Sequence, residues 1–164
     1  MILEKKELAA TIREYGNQIR RVPLLLRLFT IACFFIGVLA PLQAIIPGIG
    51  ANIYGTHQSW SEMWQTGNAL ILLAIGPIHL AVPYGVLRRQ QWICPLLVCF
   101  PLFQLLPFEL VGFLFGGPSF LLYYYQKSVM LGFALYLAIY AIAVTIYLYR
   151  NLAVCSYFEQ ITEK

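Results

Sequence analysis

The sequence has little charge and few of the residues that carry enzyme chemistry. Only 11% of its 164 residues are charged, and it contains no aspartate and just two histidines. Hydrophobic residues make up 60% and the mean hydropathy is +0.74, whereas a soluble domain is about 45–50% apolar and about 25% charged. This composition excludes a water-soluble globule and a disordered chain, and leaves room for roughly four membrane spans of about 20 residues.

Cysteine and histidine are too sparse for a redox or metal centre. The four cysteines are Cys33, Cys94, Cys99 and Cys155, and none of them forms a C-x-x-C pair. Cys94 and Cys99 are five residues apart, roughly 140° around a helix, so they cannot pair without breaking it. Two histidines cannot make a three-histidine zinc site, and a two-histidine haem site within one membrane domain is excluded because His57 lies in a loop. The sequence therefore predicts no metal and no cofactor.

Four long apolar runs predict an all-α, polytopic membrane protein with a four-transmembrane-helix bundle. The runs cover about 23–46, 68–87, 92–115 and 128–149, each close to the length of a membrane span. They are continuously apolar instead of alternating, which favours helices over a barrel. We expect residues 1–164 to form a single integral membrane domain, with the first run too long for a cleaved signal peptide.

The distribution of cations predicts that the N- and C-termini are both cytoplasmic. With that orientation ten of the eleven Lys and Arg residues lie on the cytoplasmic side, and only Lys127 lies outside. Residues 1–21 form a predicted amphipathic helix, because Leu8, Ile12, Tyr15 and Ile19 recur at helical spacing. This helix would lie on the membrane surface or dock on a partner protein, and residues 151–164 would be a cytoplasmic tail.

Aromatic and basic residues mark the predicted membrane interfaces. In the outer loop, Ser59 to Glu62 has the S-x-x-E form of a capping box and predicts a short interfacial helix. Its Trp60 and Trp64 would belong to the outer aromatic belt or, alternatively, to a lid over a ligand. The other predicted interface residues are Tyr123, Tyr124 and Tyr125 on the outer side, and Arg20, Arg21, Arg88 and Arg89 on the cytoplasmic side.

Three polar residues inside the predicted spans form the candidate ligand-binding site: His79, Gln104 and Glu109. Polar side chains in a membrane span are expected to face protein or water instead of lipid. Antiparallel packing places His79 opposite about residue 100, with Gln104 between it and Glu109 in depth. Two of them also have a structural interpretation: His79 would bind a carbonyl released by Pro83 or one on another helix, and Glu109 would pair with Lys127 at the interface.

The predicted fourth span carries a stripe of small residues on one face. Ala134, Ala138, Ala141 and Thr145 recur at spacings of four, three and four, which would let another helix approach closely. That neighbour would be the first span or a second subunit. Proline is frequent in the third predicted span, at positions 95, 101 and 107, and predicts a bent helix.

No catalytic motif is present, so we expect an accessory, assembly or scaffold component of a membrane complex. An alternative is a binder or transporter of a small apolar or amphipathic molecule, held between the second and third spans by the candidate site. A third is an intramembrane proton-transfer enzyme acting on a lipid or isoprenoid. The expected partners are the lipid bilayer, a membrane protein or a second copy, and a small apolar ligand, with no nucleic acid. The expected location is a bacterial inner membrane.

Overall fold

The computed structural model describes residues 14, 16–53, 56–115 and 130–159, and most of them are helical. After a helical segment over residues 16–21, the elements in chain order are α1 (Leu24–Ile45), β1 (Ala51–Ile53), β2 (Thr56–Gln58), α2 (Trp60–Gln65), α3 (Asn68–Leu87), α4 (Ile93–Val98), α5 (Phe100–Phe115), α6 (Met130–Arg150) and α7 (Leu152–Glu159). In this part of the chain α1, α3 and α6 are long and apolar enough to cross a membrane. These three match predicted spans.

Helices α1 and α3 form the central pair of the bundle, and small residues let them approach closely. The buried face of α1 repeats at helical spacing through Leu26, Thr30, Cys33, Gly37, Ala40 and Ala44. A Cβ built on Gly37 would lie 3.1 Å from the Gly76 carbonyl oxygen, and one built on Gly76 would lie 2.2 Å from Pro41 Cγ. Close backbone approach at small residues is a common way to pack helices in membranes. Gly37 and Gly76 therefore mark the crossing point of the pair.

Replacing Gly76 with alanine should separate this pair. Because the new methyl group would overlap the ring of Pro41, we expect Gly76→Ala to lower the free energy of unfolding by about 1–3 kcal/mol. Reversible unfolding in mixed micelles with increasing SDS would measure the change. Gly16→Ala is the matched control, since its Cβ meets no atom within 4 Å. Equal stability of the two variants would contradict the close-contact interpretation.

The predicted third span is broken in the structure. The sequence predicts one bent helix over 92–115, but α4 ends at Val98 and α5 begins at Phe100, with a turn at Cys99. Pro101 explains the break, because proline lacks the N–H that would bond the Leu97 carbonyl and its ring collides with that carbonyl. The Tyr140 hydroxyl of α6 donates to the Leu97 oxygen instead, at 3.0 Å. The break thus provides a contact between α4 and α6.

One end of the bundle gathers the start of α1, the end of α3, α4, the end of α6 and α7 around one apolar cluster. The Leu26 N–H donates to the Tyr147 hydroxyl of α6 at 3.2 Å, so α1 starts beside the end of α6. Residues predicted to be a tail form α7, which buries Val154, Tyr157 and Phe158. The Tyr157 hydroxyl donates to the Val86 carbonyl at 2.9 Å. Burial raises the pKa of Tyr157 although the nearby Arg89 cation opposes the shift, so the phenol stays a donor at neutral pH.

The opposite end of the bundle is closed by the loop between α1 and α3. Part of this loop forms an antiparallel hairpin in which Ala51 pairs with Gln58. The predicted capping box is confirmed: the Glu62 N–H donates to the Ser59 hydroxyl, while Glu62 accepts from the Ser59 N–H. The bonds from Ser59, its backbone N–H first, lower the pKa of the exposed Glu62 carboxyl. Met63 on the other face of α2 is completely buried.

Helix α6 packs mainly through its large side chains. Tyr140, Val144 and Tyr147 are partly buried, whereas three of the four residues of the small-residue stripe, Ala134, Ala138 and Thr145, are exposed and the fourth, Ala141, is partly buried. Most of the stripe therefore faces away from the bundle in the described part of the chain. The predicted start of the fourth span, at residues 128 and 129, lies outside the described residues, as do Leu8, Ile12 and Tyr15 of the predicted amphipathic helix.

Candidate functional site

His79 lies near the middle of α3 and is 3% exposed, as its polarity in an apolar helix predicts. Its Nδ1 lies 3.0 Å from the carbonyl oxygen of Ile75, one turn earlier on the same helix. Its Nε2 lies 3.0 Å from Gln104 Nε2 on α5. The ring also meets Phe100 edge to face, with centroids 5.1 Å apart. His79 therefore lies opposite residue 100, and Gln104 contacts it directly.

The two partners assign the protonation of His79. A carbonyl oxygen can only accept, so Nδ1 carries the proton and donates to Ile75. An amide nitrogen can only donate, so the Gln104 amide donates to Nε2, and Nε2 therefore carries no proton. The bond to Ile75 differs from the predicted one, in which a carbonyl released by Pro83 or one on another helix would be the partner. His79 is thus a neutral imidazole with both nitrogens engaged.

Glu109, the third residue of the candidate site, lies apart from this pair. It follows Gln104 by five residues on α5, about 7.5 Å along the helix axis, and its side chain is half-buried. Since Ile75 and Gln104 occupy both ring nitrogens of His79, Glu109 is not a direct partner of the imidazole. Its predicted partner Lys127 lies outside the described residues. The structure brings together two of the three candidate residues.

The hydrogen bond between His79 and Gln104 should contribute measurably to stability. Double-mutant cycles in a membrane protein give about 0.6 kcal/mol on average for such interhelical bonds, with a maximum of about 1.7. For a cycle of His79→Phe and Gln104→Leu we expect a coupling free energy in this range, measured by SDS unfolding in mixed micelles. A second cycle of His79→Phe with Tyr157→Phe is the control, because Tyr157 bonds Val86. Equal coupling free energies in the two cycles would show that the hydrogen bond between His79 and Gln104 does not contribute to stability.

Trp60 and Trp64, predicted as interface residues or a lid, hold the end of α1. Both indole N–H groups donate to the Ala44 carbonyl oxygen, each at 2.9 Å. Helix α1 ends at Ile45, so this carbonyl is among those with no partner inside the helix. The two tryptophans therefore fix α2 onto the end of α1. Tyr123, Tyr124 and Tyr125 of the predicted belt lie outside the described residues.

Removing one indole donor should cost much less than removing both. Trp60→Phe or Trp64→Phe leaves the other indole on the Ala44 carbonyl, so we expect each single variant to lose about 0.5–1.5 kcal/mol. The double variant leaves the carbonyl without either donor and should lose more than the sum of the two. Unfolding free energies of the four proteins would measure this. If the loss in unfolding free energy of the double variant equals the sum of the two single losses, the shared carbonyl is not what the tryptophans stabilise.

The predicted cytoplasmic arginines differ in their surroundings. Arg20, Arg21 and Arg88 are exposed, as expected of residues that meet lipid headgroups. Arg89 is half-buried instead, with its guanidinium 4.8 Å from the centroid of the Tyr157 ring. This cation–π contact joins the end of α3 to α7. Arg89 thus contributes to packing at this end of the bundle.

An apolar groove that the sequence analysis missed lies between α1, α3 and the helical segment 16–21. Its volume is about 620 Å³. Ile31, Phe34 and Phe35 line it from α1, and Leu80, Tyr84 and Leu87 line it from α3. Both sets recur at spacings of three and four residues, which is a helical face. This helical spacing was visible in the sequence. In helices that are apolar all round, however, the same spacing is equally typical of a lipid-facing surface.

Cysteine chemistry and metal binding find no support in the described residues. Cys33, Cys94, Cys99 and Cys155 are free thiols there. No group of three His, Cys, Asp or Glu side chains in this part of the chain could hold a metal ion. Comparison with protein-family models, with curated proteins and with solved structures found no match for this chain.

Proposed function

We propose that this protein is a non-enzymatic integral membrane protein that acts as an accessory, assembly or scaffold component of a membrane complex. The observation that supports the proposal is the mutual hydrogen bond of His79 and Gln104, the two candidate residues that come together. A proton-transfer enzyme needs a group free to exchange a proton with its substrate. Here the imidazole is neutral, buried and bonded at both nitrogens, which suits a contact between helices.

Other polar side chains within the helices also bond the backbone. The Thr30 hydroxyl donates to the Leu26 carbonyl at 2.7 Å within α1, and the Tyr140 hydroxyl of α6 donates to the Leu97 carbonyl of α4. The first bond satisfies a side-chain hydroxyl in a low-dielectric interior, and the second satisfies a backbone oxygen while joining two helices. The alternative function, a ligand site between α3 and α5 built on His79, Gln104 and Glu109, requires a ligand that displaces Gln104 from the imidazole.

The proposal includes four membrane spans, with α4 and α5 together forming the third, and both termini in the cytoplasm. The position of the cations supports this orientation, because ten of eleven then lie on the cytoplasmic side. The hydrogen bond between Leu26 and Tyr147 supports it too, since an even number of spans returns the chain to the side where it began. We place the protein in a bacterial inner membrane.

The exposed face of α6 is the proposed contact with a partner membrane protein. Buried residues make up only 6% of the most apolar stretch of α6, compared with 44% for α3. Ala134, Ala138 and Thr145 on this face are small enough for a partner helix to approach closely. Helix α6 would then be held on one side by Tyr140 and Tyr147, and on the other by the partner.

Affinity purification from the native membrane in mild detergent tests this proposal. We expect a stoichiometric protein partner with the wild type, and at least a fivefold loss of that partner with Ala138→Phe, because the ring would block close helix approach. Ile139→Phe is the matched control, since Ile139 is 66% exposed and already bulky. Quantitative mass spectrometry would measure the ratio.

Two outcomes would overturn the proposal. One is the absence of any stoichiometric partner from a wild-type preparation that remains folded. The other is retention of a small molecule that is lost on His79→Phe, which would favour the ligand site between α3 and α5 instead.

A further inference from the structure

The groove between α1, α3 and segment 16–21 has the size and the lining of a site for an alkyl chain. Its volume of about 620 Å³ falls within the range of roughly 300–1,000 Å³ that is usual for ligand sites. Leu80 to Leu87 extend along it for about 10 Å of helix axis. Aliphatic and aromatic side chains dominate its walls. Such a lining excludes a polar or charged group from the groove itself.

The few polar groups at the groove do not change this character. The Thr30 hydroxyl is already bonded to the Leu26 carbonyl, so it is not available as a donor to a ligand. Tyr84 adds a hydroxyl on a side chain that is 61% exposed, four residues before Arg88, while Gly16 and Ile19 add no polar side-chain atom. An occupant must therefore place its polar part beyond the end of the groove.

Three arginines lie beside the groove, each within four residues of a residue that lines it. Arg27 precedes Ile31 by four residues on α1, and Arg88 follows Tyr84 by four at the end of α3. Residues four apart in a helix share a face, so each arginine continues the face that lines the groove. Arg27 and Arg88 both lie near the end of the bundle at which α1 begins and α3 ends.

The third arginine comes from the segment that covers the groove. Arg20 follows Gly16 by four residues and is exposed. Glu14 precedes this segment by two positions, so it lies on the side of the helix opposite Gly16, where its carboxylate accepts a hydrogen bond from Gln18. The rim of the groove is therefore cationic, while its interior is apolar.

We propose that this groove binds one acyl chain of an anionic phospholipid, whose phosphate lies among Arg20, Arg27 and Arg88. The charge of the rim selects an anionic headgroup, and the apolar walls select the chain. The site uses neither His79 nor Glu109, and it is separate from the proposed partner face on α6. It would stabilise the packing of segment 16–21 against α1 and α3 by filling the space between them.

Native mass spectrometry of the full-length protein in dodecyl maltoside, titrated with phosphatidylglycerol or phosphatidylcholine, tests the proposal. We expect the wild type to bind the first phosphatidylglycerol more tightly than phosphatidylcholine. Arg27→Gln combined with Arg88→Gln should weaken phosphatidylglycerol binding roughly 25-fold, about fivefold for each arginine, and leave phosphatidylcholine binding unchanged. Arg150→Gln, which removes an exposed cation at the end of α6, is the control and should bind like the wild type.

A second pair of variants tests the groove itself. Ile31→Trp places an indole in the groove and should weaken binding of both lipids about tenfold, whereas Ile36→Trp, on a surface of α1 outside the lining, should not. Thermal unfolding would verify that every variant is folded. Equal binding by the two tryptophan variants, or by the Arg27 and Arg88 double variant and Arg150→Gln, would overturn the proposal. Oleate binding as tight as that of phosphatidylglycerol would also overturn it, since the site would then recognise a fatty acid.

Discussion

The rest of this structure depends on one constraint: a backbone N–H or C=O in the membrane interior must have a partner. Proline and helix ends leave such groups unpaired, and aromatic side chains with a polar atom satisfy them. Tyr140 bonds the carbonyl of Leu97, and two tryptophans share the carbonyl of Ala44. These side chains bury a large apolar ring while one atom bonds the backbone. Each such bond also joins two helices or fixes a loop, so backbone satisfaction and tertiary packing are achieved together.

Sequence patterns anticipated the features that depend on local information. The apolar runs 23–46 and 68–87 match Leu24–Ile45 and Asn68–Leu87 closely, because hydrophobic length alone sets a span. The capping box at Ser59 was also recognisable, since its hydrogen bonds join residues three apart. Counting residues along antiparallel spans placed His79 opposite residue 100, and the two residues are in contact. This count works because the connection between α3 and α4 is short. For features whose residues are close together in the sequence, residue spacing alone was enough to predict the structure.

Features that depend on distant contacts could not be predicted in the same way. At the break near Cys99, the carbonyl of Leu97 that Pro101 leaves unpaired accepts a hydrogen bond from the Tyr140 hydroxyl, 43 residues away in the sequence. Packing of α7 requires Tyr157 to reach Val86 across 71 residues. The small-residue stripe of α6 suggested close packing, yet larger side chains occupy the contact with the bundle. In helices that are apolar on every side, periodicity does not indicate which face is buried.

The close contact of α1 and α3 also explains why a groove exists at all. Helices that touch at Gly37 and Gly76 cross at small residues, and two helices that cross at an angle diverge on either side of the contact. Toward the arginine-rich end, the space between them is bounded by Ile31 on one helix and Tyr84 on the other. The glycines that bring the helices together therefore also leave an opening beside them, which an apolar chain from outside the protein can occupy.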